Sequence, residues 1–214
     1  VGVLHVFDMD GTLLVGTTAS IEIARAFGRL PELVELETAF AAGGLTTYAF
    51  AVATADLYRG LTAGAVAEIF AGCAWLPGIA EVAADIRRRG ERSLVVTLSP
   101  DFFAGLLTGL GLDEVRASTF PPLPLRRLPE PSHILTPADK VTVVEQVLAR
   151  EGLARDRCVA YGDSLSDLPL FAHLEHTVAV NATPELRRVA SVGVDCDDLW
   201  PAYRAGRELV DRCH

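Results

Sequence analysis

The sequence lacks any long hydrophobic run. Half of its 214 residues are apolar, yet each apolar stretch is short and broken by Gly, Pro or charge. None approaches the roughly 18 residues of a membrane span. The opening VGVLHVFDMDG carries no basic region and no small-residue cleavage site, so it reads as a buried strand and not as a secretory leader. Cysteine is sparse: Cys73, Cys158, Cys196 and Cys213 form no C-x-x-C pair and no zinc-like spacing. The expectation is free thiols in a reducing cytoplasm, with Cys158 as a small core residue. Positive charge is also short. The net charge of −9 argues against nucleic acid and against anionic lipid as partners. Lysine occurs once, at Lys140, among 19 Lys and Arg. Arginine fills every other basic position, a bias typical of GC-rich genomes.

What is present describes a globular chain. With 22% charged residues and 214 positions, the sequence suits one large domain, or a core with a small insert, and can bury a sizeable core. Val3–Phe7, Ser93–Leu98 and Val159–Tyr161 are apolar runs of the kind found in buried parallel strands. Val115–Thr119, Thr177–Val180 and Ser191–Val194 are weaker strand candidates. Helical periodicity covers Ile79–Arg89 and Asp101–Leu110. Thr136-Pro137 reads as an N-cap followed by Pro at the first helical position, opening a helix to about Glu151. This alternation predicts an α/β fold: a doubly wound, mainly parallel sheet. Ser20–Gly72 breaks the alternation with Ala-rich helical sequence and no strand. The predicted division is therefore a core of residues 1–15 and 75–214 with a small α-helical cap at 16–74. The proline-rich stretch Phe120–Pro137 reads as an extended loop or loose hairpin on the surface.

Four segments carry chemistry. Asp8-Met9-Asp10-Gly11-Thr12 places two carboxylates at the end of a buried strand, where α/β proteins build their sites. Close like charges call for a cation between them, and hard oxygen ligands suit Mg²⁺. A strand that simply ends in a polar turn would use the same residue types. Gly162-Asp163-Ser164-Leu165-Ser166-Asp167 follows another buried strand and supplies two further carboxylates. On its own it reads first as a capped helix start. Thr97 ends a strand before Leu98, Ser99 and Pro100, so its hydroxyl beside a following helix N-terminus suits either a phosphate or a capping role. Lys140 sits in the first turn of a helix, against the macrodipole, which points to an anionic partner outside that helix.

Taken in order, D-x-D-G-T, a strand-end Thr, a Lys and G-D-S-x-x-D resemble the haloacid dehalogenase superfamily. With a helical insert after the first motif, the chain resembles its phosphoserine-phosphatase-like branch. The resemblance implies a Mg²⁺-dependent phosphatase acting on a small-molecule phosphate ester; a monomer or homodimer is expected, in the cytoplasm that the cysteine usage suggests. It implies that Asp8 is the nucleophile that forms an aspartyl-phosphate and that Asp10 is the acid and then the base. Thr97, Leu98 and Lys140 are implied to hold the phosphate. Metal ligation is implied for Asp8, the Asp10 backbone carbonyl and Asp163, with Asp167 supporting the metal or Lys140.

The cap departs from the branch pattern. Thr17 stands where those phosphatases carry a Glu, Tyr48–Tyr58 contains no Arg, and Ser166 replaces a frequent Asn. Burying the ammonium and carboxylate of phosphoserine without partners is costly. A sugar, polyol or nucleoside monophosphate is favoured instead, met by Thr17, Thr46, Thr47, Tyr48, Phe50 and Tyr58. Simple packing of the cap would use the same aromatics. A sugar-phosphate mutase and a phospho-Asp signalling protein remain the alternatives.

Overall fold

Continuous apolar runs, whose side chains point alternately to two covered faces, generate the sheet of the computed structural model, which describes residues 2–212. The strands are β1 (Leu4–Phe7), β2 (Arg92–Pro100), β3 (Glu114–Ser118), β4 (Cys158–Gly162), β5 (His176–Val180) and β6 (Val192–Val194). All neighbours pair in parallel, in the order β3-β2-β1-β4-β5-β6. This is the doubly wound arrangement, in which the connections reverse direction at β1 and β4 and leave a crevice at the carboxyl ends of those strands.

The helices in chain order are α1 (Ala19–Ala26), α2 (Leu30–Ala41), α3 (Thr47–Leu57), α4 (Ala63–Gly72), α5 (Ile79–Arg88), α6 (Asp101–Ala104), α7 (Pro137–Glu151), α8 (Leu168–His173), α9 (Pro184–Arg187) and α10 (Leu199–Asp211). Phe7, Val95 and Tyr161 point from the sheet into a core shared with Val82 and Ile86 of α5 and Ala202 and Tyr203 of α10. Leu4, Val6, Leu94, Val96 and Ala160 point the other way, onto Val144 and Leu148 of α7 and Phe171 of α8. Two buried sheet faces explain why these strands read as continuous apolar runs.

The chain leaves β1 through a tight turn. Leu13 N and Leu14 N both donate to Met9 O at 2.9 Å, and Gly11 N donates to Leu14 O at 2.9 Å. The outgoing and returning segments then pair, through Val15 N to Ala74 O at 3.0 Å and Leu76 N to Leu13 O at 2.8 Å. Helices α1–α4 sit on that paired neck. Thr18, Thr46 and Thr62 cap α1, α3 and α4 with their side-chain oxygens. The α4 helix packs on α6, which brings this helical segment over the crevice end of the sheet.

Several expectations change in detail. β2 runs to Pro100, so Thr97 lies inside a strand and not at a helix N-terminus. The stretch predicted as one helix over Asp101–Leu110 is a four-residue α6 followed by a 3₁₀ segment, Gly105–Leu110. Gly105 and Gly109 weaken α-helix there. The proline-rich stretch is an irregular loop with a 3₁₀ turn at Pro131–His133, and it folds back so that Thr119 N donates to His133 O at 2.8 Å. It does not lie wholly on the surface, because Phe120, Leu125 and Ile134 are buried. β5 begins one residue before the predicted Thr177, at His176, which is buried. Past Val194 the spacing of Leu199, Ala202, Tyr203, Gly206 and Val210 builds the amphipathic α10. Cys213 and His214 lie outside the described residues, and no helix among the described residues is long and apolar enough to cross a membrane.

Candidate active site

The carboxyl ends of β1 and β4 bring Asp8 and Asp163 to the crevice, and α7 delivers Lys140 beneath them. Lys140 is 1% exposed. Its Nζ donates to Asp8 Oδ1 at 2.7 Å, to Asp167 Oδ1 at 2.6 Å and to Ser166 Oγ at 3.4 Å. Here is the anionic partner that its place against the α7 dipole called for. Burial opposes a charged lysine, but Asp167 and Asp8 outweigh it and hold the ammonium above its ordinary pKa. The second oxygen of Asp167 accepts from the backbone N–H groups of Asp163 and Ser164 at 3.1 and 3.3 Å. Asp167 is thereby fully engaged in orienting Lys140 and the loop after β4.

Asp10 faces the opposite wall. Its Oδ1 accepts from Ala19 N at 2.7 Å, in the first turn of α1. Its Oδ2 accepts from Ser99 Oγ at 2.6 Å and Thr97 Oγ1 at 3.2 Å. Burial raises its pKa, and the bonds from Ser99, Ala19 and Thr97 oppose that shift. Asp10 therefore ties β1, β2 and α1 together at one carboxylate. Ser99 is not legible in the motif set, yet it makes the shortest contact to Asp10.

Asp163 accepts from Thr12 Oγ1 at 3.1 Å, which gives the last residue of the D-x-D-G-T motif a role that the sequence left unassigned. The approach depends on Gly11, which adopts φ +80° and whose place for a Cβ lies 2.2 Å from Asp163 Oδ2. Gly162 plays the same part for Asp167, with a Cβ position 2.5 Å from its Cγ.

Asp8, Asp163 and Asp167 each offer an oxygen, and the three atoms lie within 4.8 Å of one another. Burial drives the Asp8 carboxyl well above its usual range, Asp167 adds to the shift, and Lys140 opposes it. Burial, with Asp167, raises Asp163 to about 7. Three carboxylates against one lysine leave an uncompensated negative site built of hard oxygen donors, which fits a small divalent cation. Asp8 and Asp163 keep oxygens free for it. The Asp10 side chain stands outside this group, so that residue has only its backbone to offer a metal.

The haloacid dehalogenase-like hydrolase family model matches residues 5–172. The chain belongs to that family. Phosphoserine phosphatase of Albidiferax ferrireducens is 28% identical over 204 residues, 92% of this chain and 86% of that protein. The enzyme of the same name from Wolinella succinogenes is 26% identical over 92% of this chain and 96% of its own. Among solved structures, a substrate-bound phosphoserine phosphatase superimposes with a TM-score of 0.80 at 22% identity, covering 95% of this chain and 98% of that one. The protein is a phosphatase of the haloacid dehalogenase-like family.

Two cavities open on the site of this hydrolase. One, of about 430 Å³, is lined by Asp8, Asp10, Thr97, Asp163 and Ser166 together with Thr17 and Leu98. The other, of about 300 Å³, lies under α2 and α3 and is lined by Glu37, Phe40, Thr47, Phe50, Phe120 and Ile134 among others. They share Asp10, Thr18 and Leu98. Thr17 faces the first cavity, with its hydroxyl donating to Glu22 Oε1 at 2.6 Å. Tyr48 lines neither; its hydroxyl donates to Pro129 O at 3.4 Å, and its ring packs on the core. Tyr58 is fully buried and donates to Ser20 Oγ at 2.8 Å. Both tyrosines hold the helices in place, and the aromatic lining comes from Phe40, Phe50 and Phe120.

Proposed function

We propose that this protein hydrolyses small phosphate monoesters through an aspartyl-phosphate on Asp8, with Mg²⁺ at the Asp8–Asp163 site and with α1–α4 (within residues 16–74) as a cap over the leaving group. The observation that carries this reading is a buried Lys140 bonded to Asp8 at 2.7 Å, opposite an Asp10 held by Thr97 and Ser99.

An oxygen of Asp8 attacks phosphorus, and the bond from phosphorus to the alcohol oxygen breaks. Asp10 gives its proton to that oxygen. The resulting Asp10 carboxylate takes a proton from water as the water oxygen attacks the phosphorus of the acyl phosphate. The bond to Asp8 breaks, and inorganic phosphate leaves. One residue serves as acid and then as base, which two-step transfer requires. Lys140 and Thr97 offset and bind phosphate charge. Mg²⁺ bound by Asp8 and Asp163 would supply charge screening between the carboxylate and the phosphate dianion.

The leaving group belongs in the cavity under α2 and α3. Among the described residues no Lys, Arg or His lines it, whereas Asp10 and Glu37 do. That lining disfavours a carboxylate-bearing alcohol such as serine and supports a ring-bearing one, a sugar or nucleoside more than an open polyol. Phosphate release should be measured over a panel of esters, with and without Mg²⁺, for wild type and Asp8→Asn. Mg²⁺-dependent release that disappears in Asp8→Asn supports the reading. Phosphoserine outrunning every other ester would overturn the substrate assignment, and an isomerised ester in place of free phosphate would identify a mutase.

A further inference from the structure

We infer that the preferred leaving group is a ring-bearing alcohol carrying a cationic amine, and that Glu37 is the residue that selects it. This rests on the reading of the Asp8 site as a phosphate-ester hydrolase and specifies the substrate class for that site.

Glu37 lies on α2 and lines the cavity under the cap. It is half-buried, and no hydrogen bond or ion pair engages it among the described residues. Other acids withdrawn from solvent here are engaged: half-buried Glu22 pairs with Arg25, and the buried Glu91 and Asp85 pair with Arg207 and Arg89. In a chain with so much arginine, a carboxylate left open toward a cavity is a choice of lining. Burial raises the Glu37 carboxyl pKa, and nearby Asp10 adds to the shift. A cation placed there would reverse both effects.

The rest of the lining suits the same ligand. Phe40 follows Glu37 by three residues, hence on one helix face. Its ring meets Phe50 with centroids 5.1 Å apart, and Phe120 enters from the loop before α7. Phenyl faces and a carboxylate together attract an organic ammonium, while the apolar walls take a ring. The cavity of about 300 Å³ joins the phosphate cavity at Asp10, Thr18 and Leu98, so a bound ester spans both.

Three esters test this: benzyl phosphate, 4-(aminomethyl)benzyl phosphate and 4-carboxybenzyl phosphate, assayed in Mg²⁺ with wild type, Glu37→Gln and Asp8→Asn. In wild type, kcat/KM should be about tenfold higher for the amine than for benzyl phosphate, and about tenfold lower for the carboxylate. In Glu37→Gln the amine advantage over benzyl phosphate should fall to about twofold or less, with a melting temperature matching wild type as proof of an intact fold. Equal rates for amine and neutral esters in wild type, or an amine advantage that survives in Glu37→Gln, would overturn the assignment while leaving the phosphatase reading intact. Absence of Asp8-dependent release from all three esters, with release from the wider ester panel retained, would overturn this inference alone, whereas absence of release from every ester would remove the phosphatase reading with it.

Discussion

Replacing Lys140 with Met keeps the length and apolar stem of the side chain and removes its charge. In the folded protein the ammonium is 1% exposed and bonds to Asp8 at 2.7 Å and Asp167 at 2.6 Å. Its loss leaves two buried carboxylates facing each other without a counter-ion. Breaking a buried pair from one side costs about 3–5 kcal/mol, a large part of the roughly 5–15 kcal/mol that holds a typical domain. Urea unfolding in EDTA should show that loss. Saturating Mg²⁺ should recover part of it, because a cation at Asp8 and Asp163 restores some of the missing charge. The double variant Lys140→Met/Asp167→Asn should be more stable than Lys140→Met alone, since it removes one of the stranded charges and keeps an amide oxygen for Asp163 N and Ser164 N. An unfolding free energy within about 1 kcal/mol of wild type for Lys140→Met would refute the reasoning, because it would mean that the carboxylates do not depend on this lysine.

Three other outcomes follow from the geometry. Ser99→Ala removes the 2.6 Å donor to Asp10 and should lower kcat about tenfold with little change in KM, as expected for a group that orients an acid–base residue. Gly11→Ala puts a methyl group 2.2 Å from the place now held by Asp163 Oδ2, so calorimetric titration should show Mg²⁺ affinity weakened by about tenfold or more. His5 is fully buried among Tyr161, Glu91, Tyr203 and, at longer range, Arg207 and Arg89. Burial lowers its pKa despite the Glu91 contact. Its contribution to stability is therefore complete above the unfolded value of about 6.5 and declines as pH falls below it. Melting temperature should drop between pH 7 and pH 5, and the drop should be shallower in His5→Gln.

The sheet was readable because its strands are buried on both faces. Continuous apolar runs ending in Asp8 and Gly162 marked β1 and β4 and the loops that carry the carboxylates. Lys140 was readable from its oddity: a lone lysine in a helix first turn has to be neutralised by something. Ser99 was hidden because its significance depends on β2 running on to Pro100, and strand ends are poorly marked in sequence. Glu37 was hidden because nothing local distinguishes an acid on a helix surface from one turned toward a cavity. Tyr48 and Tyr58 look like ligand contacts by type, but tertiary packing turns both hydroxyls onto protein partners. The amphipathic face of α10 was available in the spacing from Leu199 to Val210 and in Asp198, whose side chain caps the helix.

The most direct measurement is to look for phosphate on Asp8 itself. Wild type mixed with a turned-over ester in Mg²⁺, quenched in acid within the first turnover and digested, should give an acyl phosphate on the peptide containing Asp8, identified by mass spectrometry. The adduct should be absent in Asp8→Asn and should persist longer in Asp10→Asn, where water lacks its base. Rapid phosphate release without any adduct on Asp8, or release that survives Asp8→Asn, would contradict the account.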